Sequence, residues 1–438
     1  MLKFRIVAAA AICGAYCLAV AQNPMPEQAI FNSDPNHIWN RTYMCLFSRQ
    51  SATGLAYGLD LLDPPLWAET RYLLTGASYR RALACLDEFL RTHAERQMQD
   101  PIKRAVLQRD LWAIFDWAAE RDDLPHQRRD LEVRLTKVIR LLALKQDQID
   151  RLPKTYEEAV ATQQFPRAYD PRHPQKPFLP PDLFRLDGPW VCISAYGDEP
   201  TAITHFSGRS RFLIFMQLPG GRDITLAYIR RLRSWSAPLF INDSEGRPDR
   251  LNLSLPQFPQ GTQVGLVRQA FVINTEGKLV PTTLTESVQL RVYHTVTPGS
   301  PYLHYINGPS SNDQDFFELR MQRAKLFANH DGGLAGVRPG EEDYPTFSTY
   351  GDDPLEDTHS LDEKSVVLDR CLSCHSDSGI HSVQSRTQWV QSSQRTGEQR
   401  SDNIQKDPIV WETNVTIARK ERQPEFKLLQ KLWHISSQ

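Results

Sequence analysis

Residues 286–296 read Glu286-Ser287-Val288-Gln289-Leu290-Arg291-Val292-Tyr293-His294-Thr295-Val296. Val288, Leu290 and Val292 alternate with Gln289, Arg291 and Tyr293. Successive side chains of a strand point to opposite faces, so this alternation predicts a β-strand with one face buried. Upstream, Asn274-Thr275-Glu276-Gly277 has the turn residues that close a hairpin into Lys278–Val280. Gln263–Asn274 reads as a further strand. So do Trp190–Tyr196 and Arg211–Leu218, short apolar and aromatic runs bounded by Gly and Pro. Pro219-Gly220-Gly221 marks a turn after the last of these. Ile224–Trp235 reads as helix in preference to strand. Residues 190–300 are thus expected to form a β-rich domain, an antiparallel sheet or a sandwich.

Upstream the period changes. Leu131, Leu135, Val138 and Leu142 recur at the spacing of one helix face, and Leu107, Leu111, Ile114 and Ala118 do the same. Leu83, Leu86, Phe89 and Leu90 mark another helix after Ser78, and Asp122-Asp123-Leu124-Pro125 separates two of them. Trp39, Trp67, Trp112 and Trp117 add bulk to this region and read as packing. Residues 22–162 are therefore expected to be a helical domain. Residues 163–189 carry Pro166, Pro171, Pro174, Pro177, Pro180, Pro181 and Pro189. Proline fixes φ and lacks an N–H, so neither helix nor central strand runs through this connection. Phe178, Leu183 and Phe184 within it suggest that it is extended but docked. Downstream, 313–329 is expected to be a helix carrying Phe316, Phe317, Leu319 and Leu326, and Asp331–Glu356 a Gly-, Pro- and acid-rich loop. The fold class is α+β and multidomain: helical N-terminal domain, β-rich middle, and a small, mostly helical and loop C-terminal segment over 301–438.

The chain has 438 residues, with 51 Lys+Arg against 52 Asp+Glu, a formal net charge of −1. That balance gives no bulk charge to hold the protein to nucleic acid or an anionic membrane. With 40% hydrophobic and 24% charged residues it has the make-up of an ordinary folded protein, which excludes pervasive disorder, collagen and coiled coil. Lys3 and Arg5 precede an apolar run from Ile6 to Ala21, and Ala19-Val20-Ala21 before Gln22 has the A-x-A form of a cleavage site. Residues 1–21 are expected to be a removable signal peptide, with a retained anchor as the alternative. Neither Ile12 before Cys13 nor Tyr16 before Cys17 is small, which disfavours a lipoprotein. No second long apolar run occurs, so the mature chain is expected to be periplasmic or secreted, with no membrane span. Cleavage leaves Cys45, Cys85, Cys192, Cys371 and Cys374. Cys45 and Cys85 lie in one helical region. They either pair, as an exported protein permits, or act with Cys192 as small buried apolar residues.

Cys371-Leu372-Ser373-Cys374-His375 matches C-x-x-C-H, the attachment sequence for c-type haem. Two thiols about one helical turn apart can each add to a vinyl group on one porphyrin edge, and the adjacent His projects toward the iron. Ser360-Leu361-Asp362-Glu363 has the form of a capping box, Val366, Val367 and Leu368 lead into the motif, and Gly379 suits a turn beyond it. Three other readings compete. A zinc site wants a fourth ligand and usually a second C-x-x-C. A redox dithiol wants a strand-to-helix turn in a βαβ context. A disulfide across so short a loop is strained.

The motif and its immediate flanks resemble the opening helix of c-type cytochromes; the rest of the chain carries no such likeness. The resemblance implies thioether bonds at Cys371 and Cys374, His375 as proximal iron ligand, and one covalent haem c. It also implies attachment outside the cytoplasm and single-electron transfer with a periplasmic redox partner. One departure stands out. Small cytochromes of this class supply a downstream Met as sixth ligand, and here no Met follows Met321. The sixth ligand is then His381, His434, Met321, His330, His359 or none. Ligation matters because His/Met favours a higher potential and bis-His a lower one. An open position would instead suit a peroxidase-like enzyme or a sensor, with His330 or Arg338 as distal residue. A haem-free exported binding protein is the third alternative.

Other segments read as ordinary surface. Asn329-His330-Asp331-Gly332-Gly333 reads as a Gly-rich loop past a helix end before it reads as a ligand pocket. Glu341-Glu342-Asp343 and Asp352-Asp353 lack the spacing of an EF-hand. Arg209-Ser210-Arg211 and Arg230-Arg231-Leu232-Arg233 read as charged surface, with docking of an acidic partner as the alternative. No G-x-S-x-G, Walker A or G-x-G-x-x-G sequence occurs.

Overall fold

The computed structural model describes residues 30–50, 56–63, 71–194, 198–234, 240–242, 248–251, 254–294, 313–343, 365–375, 378–384 and 407–435. The expected signal peptide, Trp67, the expected capping box and His359 lie outside the described residues. Helices α1 (Ile38–Leu46), α2 (Gly76–Arg91), α3 (Pro101–Ala119), α4 (Pro125–Leu142), α5 (Gln146–Ile149) and α6 (Thr155–Ala161) make up the N-terminal region, with a small ribbon of β1 (Arg49–Gln50) and β2 (Ala56–Tyr57). The Asp100 carboxylate accepts from the amides of Ile102 and Lys103, and Pro101 opens α3 where its missing N–H costs nothing. Leu107, Leu111, Ile114 and Ala118 are fully buried, as are Leu131, Leu135, Val138 and Leu142 of α4. α3 is buried nearly all round, so its polar side chains need partners. Gln108 has them: its Nε2 donates to the carbonyls of Ile139 (3.1 Å) and Ile273 (2.8 Å), and its Oε1 accepts from the Ile273 amide (2.9 Å).

A six-stranded antiparallel sheet follows. Its strands are β3 (Val191–Ile193), β4 (Ser210–Gln217), β7 (Gln263–Ile273), β8 (Leu279–Tyr293), β9 (Gln314–Met321) and β10 (Leu334–Gly336), in the order β10-β9-β8-β7-β4-β3. α7 (Arg222–Arg233) and the ribbon β5 (Phe240–Asn242) and β6 (Pro248–Leu251) lie between β4 and β7 in the chain. The hairpin from β7 to β8 turns where the sequence signals it: Asn274 Oδ1 accepts from the amides of Glu276 (3.0 Å) and Lys278 (2.9 Å), and Gly277 supplies φ +80°.

The expected helix over 313–329 is instead strand β9, then Gln322 and a short helix α8 (Arg323–Phe327). The buried set is Phe317, Leu319 and Met321, a period of two, and Leu326 belongs to the later helix. The adjacent pair Phe316-Phe317 gave the segment a false helical look: Phe317 joins the core, whereas Phe316 lies under the Arg291 guanidinium on the other face. The sheet therefore runs past the expected boundary at residue 300.

Both sheet faces are covered. Leu213, Phe215, Val267, Val288 and Leu290 pack under Phe178, Leu179 and Leu183, so the proline-rich connection is a lid on one face. On the other face Ile214, Met216 and Val264 meet Tyr228, Ile229 and Leu232 of α7. Two C-terminal helices, Pro408–Arg422 and Pro424–Ile435, return to the N-terminal region: Phe426, Leu429, Leu432 and Trp433 of the second share a core with α3 and α4. Among the described residues no helix is long and apolar enough to cross a membrane.

Charged groups tie these regions together. Asp63, Asp116, Glu286 and Glu425 meet Arg109, Arg209, Arg268 and Lys420 in one connected network. Arg209 and Arg211 are thus not the surface cluster read from the sequence. Arg209 is spanned by Asp63 and Asp116, and Arg211 donates to Gln269 and Thr413. Gly208, at φ +71°, lets the chain pass this point, because a Cβ there would sit 2.3 Å from Lys420 Cδ. Arg323, fully buried, makes a two-pronged pair with Asp110 (2.6 and 3.1 Å) and lies over the rings of Tyr43 and Phe47. Cys45 and Cys85, on α1 and α2, are hydrogen-bonded, and that bond holds the Cys85 thiol below its ordinary value.

Two outcomes follow. Arg323→Ala leaves the Asp110 carboxylate buried and unpaired, and should cost about 3–5 kcal/mol in a urea unfolding curve. Burial pushes the Asp63 carboxyl up, but Arg268, Arg109 and Arg209 together hold it well below its ordinary 3.8. A depressed carboxylate contributes its stability above the unfolded value and loses it as pH falls toward the folded one. The stability gap between wild type and Asp63→Asn should therefore be constant above about pH 5 and shrink as pH drops below 3.8.

Candidate functional site

The motif lies on helix α9 (Val367–His375), entered from β12 (Ser365–Val366), which pairs with β11 (Glu342–Asp343). Beyond it the chain turns at Gly379, φ +56°, into α10 (Ile380–Gln384). α11 (Pro408–Arg422) and α12 (Pro424–Ile435) complete the chain. Cys371 is half-buried, and Gln289 of β8 donates to its Sγ at 3.5 Å. Cys374 follows three residues on in the same helix, and its side chain lies outside the described residues. His375 ends the helix. Its carbonyl accepts from Gln314 Nε2 at 2.8 Å. Its Nδ1 lies 2.6 Å from the Ser382 carbonyl. A carbonyl only accepts, so Nδ1 carries a proton, and in the neutral ring Nε2 then carries the lone pair.

The turn that supplies this carbonyl is itself held. Ser382 Oγ donates to the Gly379 carbonyl at 2.7 Å, so the Tyr293 hydroxyl, also at 2.7 Å, donates to Ser382 Oγ. Gln257 Oε1 accepts from the Ile380 amide (2.7 Å), and its Nε2 donates to the Ser378 carbonyl (3.3 Å). Ile380 and Val383 then pack against the sheet.

Gln289, Arg291 and Tyr293 are alternate residues of one strand, so they share one face. Register extends that face sideways: Gln289 lies in a row with Leu266 and Ile214, and Arg291 in a row with Val264 and Met216. Beneath His375 these rows floor a pocket that opens to solvent. Ala202, Ile214, Val264, Leu266 and Val383 make it largely apolar, and Gln289 and Arg291 are its polar members together with two histidines. Arg291 is only 6% exposed, its guanidinium lies 4.9 Å from the Phe316 ring centre, and its Nη1 has no hydrogen-bond partner among the described residues.

The second histidine is His205, which the sequence reading passed over. It ends a single 3-10 turn, Ile203–His205. Buried Glu412 of α11 fixes the approach, accepting from the Thr201 amide (2.7 Å) and hydroxyl (2.9 Å). The His205 ring lies 5.8 Å from that of Phe212 and 5.9 Å from that of His375, the latter at an interplanar angle of 8°. Thr201-Ala202-Ile203-Thr204-His205 has no motif; only the fold brings it to His375.

Among the described residues, none of the expected candidates for a sixth ligand lines the pocket. Met321 is in the helical core, His330 and His434 are exposed, and buried His381 does not line the pocket. Arg338 is exposed beside Glu341. Neither distal residue of the peroxidase-like reading lines the pocket beside His375. Cys371 lies at the middle of the nine-residue α9, not at the helix N-terminus that activates a redox dithiol.

No family model, curated protein or solved structure matches this chain.

Among the described residues no group of three or more His, Cys, Asp and Glu side chains is placed to hold a metal ion. A porphyrin iron does not require one, since the macrocycle supplies four nitrogens and the protein only axial donors.

Tyr293→Phe removes the hydroxyl that steadies Ser382 and should cost about 1 kcal/mol. Hydrogen exchange should show the loss locally, as faster exchange of the 379–384 amides with the β7 and β8 amides unchanged.

Proposed function

We propose that this chain is an exported, monohaem c-type cytochrome-like protein that passes single electrons to or from a periplasmic partner protein. Haem c would be bound covalently through Cys371 and Cys374, with His375 as an iron ligand. The observation that carries the reading is the bond from His375 Nδ1 to the Ser382 carbonyl. It sets the tautomer and orientation that an iron-binding imidazole needs, with the lone pair on Nε2.

The residues around it fit the group. The motif cysteines are one helical turn apart, the spacing at which two thiols meet one porphyrin edge. The pocket is apolar on most of its wall, as a macrocycle requires. Arg291 is a buried cation with an unsatisfied nitrogen in that wall, suited to a carboxylate such as a haem propionate. Bound haem supplies a one-electron iron couple. The chain's own residues do the holding: Gln289 contacts Cys371, Gln314 fixes the end of α9, and Tyr293 and Gln257 fix the turn under His375. The reading of residues 1–21 as an export signal belongs with it, because covalent attachment in the family it resembles takes place outside the cytoplasm.

The test is expression of the full chain with cytochrome-maturation machinery, followed by denaturing electrophoresis and haem staining. A stained band should travel with the polypeptide, and Cys374→Ser should weaken or abolish it while circular dichroism stays unchanged. A colourless, folded wild type made beside a correctly matured control cytochrome would overturn the proposal.

A further inference from the structure

We infer that His205 is the second protein ligand of the haem iron, on the side opposite His375. The inference rests on the haem reading and deepens it. An imidazole nitrogen sits about 2 Å from a transition metal it binds, so two imidazoles across one iron have ring centres roughly 6 Å apart. The rings of His205 and His375 are 5.9 Å apart and within 8° of parallel. Both line the same largely apolar pocket.

The turn that carries His205 is held by specific bonds. Its amide donates to the Ala202 carbonyl at 2.9 Å, closing the short turn. Glu412, with no exposed surface, holds Thr201 at the start of that turn by two bonds. Phe212, on which the His205 ring rests, belongs to β4, whose neighbour Ile214 floors the pocket. These bonds fix the backbone of the turn, while the His205 side chain itself is exposed. The two ligands come from segments 170 residues apart in sequence, so the iron would clasp the turn before β4 to α9.

The chemical consequence is a six-coordinate, low-spin iron with a potential on the low side of c-type centres. Such a centre favours electron transfer over peroxide or gas chemistry, because no position stands open for a small ligand.

The experiment uses the full haem-loaded chain and reads its spectrum rather than its activity. Wild type should be low-spin in both oxidation states and slow to bind carbon monoxide. His205→Ala should keep its covalent haem, turn high-spin, bind carbon monoxide at once, and recover the low-spin spectrum on adding imidazole. His205→Met should stay low-spin with a raised midpoint potential. His330→Ala and His434→Ala should match wild type. A His205→Ala protein that keeps both its haem and the wild-type spectrum overturns the ligand assignment and leaves the haem reading standing. Absence of covalent haem from wild type overturns the haem reading itself, and the ligand assignment with it.

Discussion

The alternation along β8 is the constraint on which the rest depends. Val288, Leu290 and Val292 enter the core beneath the proline-rich lid, and this forces Gln289, Arg291 and Tyr293 to the opposite face. Those three residues touch the thiol of Cys371, the wall of the pocket and the turn under His375, respectively. A slip of one residue would exchange the two sets and bury three polar side chains in an apolar core. The six pairs from Gln263–Val292 to Arg268–Ser287, ahead of the bulge beyond Arg268, and seven pairs with β9 hold the register against that slip.

The charged network does a different job. It includes groups from α3, β7, β8, α11 and α12, together with Asp63 and Arg209 from loops. Arranged as four acids and four bases, it places no net charge in a low-dielectric region, and each member is costly to remove alone. It also positions α11, whose Glu412 holds Thr201 and so the turn that presents His205. Helical region, sheet and C-terminal helices thus form one interlocked body, which a reading by successive segments does not anticipate.

Local physics was legible in the sequence. Helices α3 and α4 declared themselves by apolar spacing, the β7–β8 hairpin by Asn274 and Gly277, β8 by its alternation, and the docked proline-rich segment by Phe178 and Leu183. Three things were not. β9 was hidden because Phe316 and Phe317 are adjacent, and only the partner strands decide which of them faces the core. Arg209 and Arg211 look like surface charge until Asp63, Asp116 and Thr413 are brought to them from distant positions. The C-x-x-C-H motif was plain, but the polar side of β8 read as a solvent face. In the fold that side floors the pocket, and His205 across from it has no local signal at all.

Tandem mass spectrometry of the proteolytic peptide spanning 367–384, taken from the full chain made with cytochrome-maturation machinery, examines the bond between a macrocycle and Cys371 and Cys374 directly. The peptide should carry the mass of one haem, with fragments placing it on Cys371 and Cys374. A peptide with both thiols open to alkylation, or joined only to each other, would contradict the account.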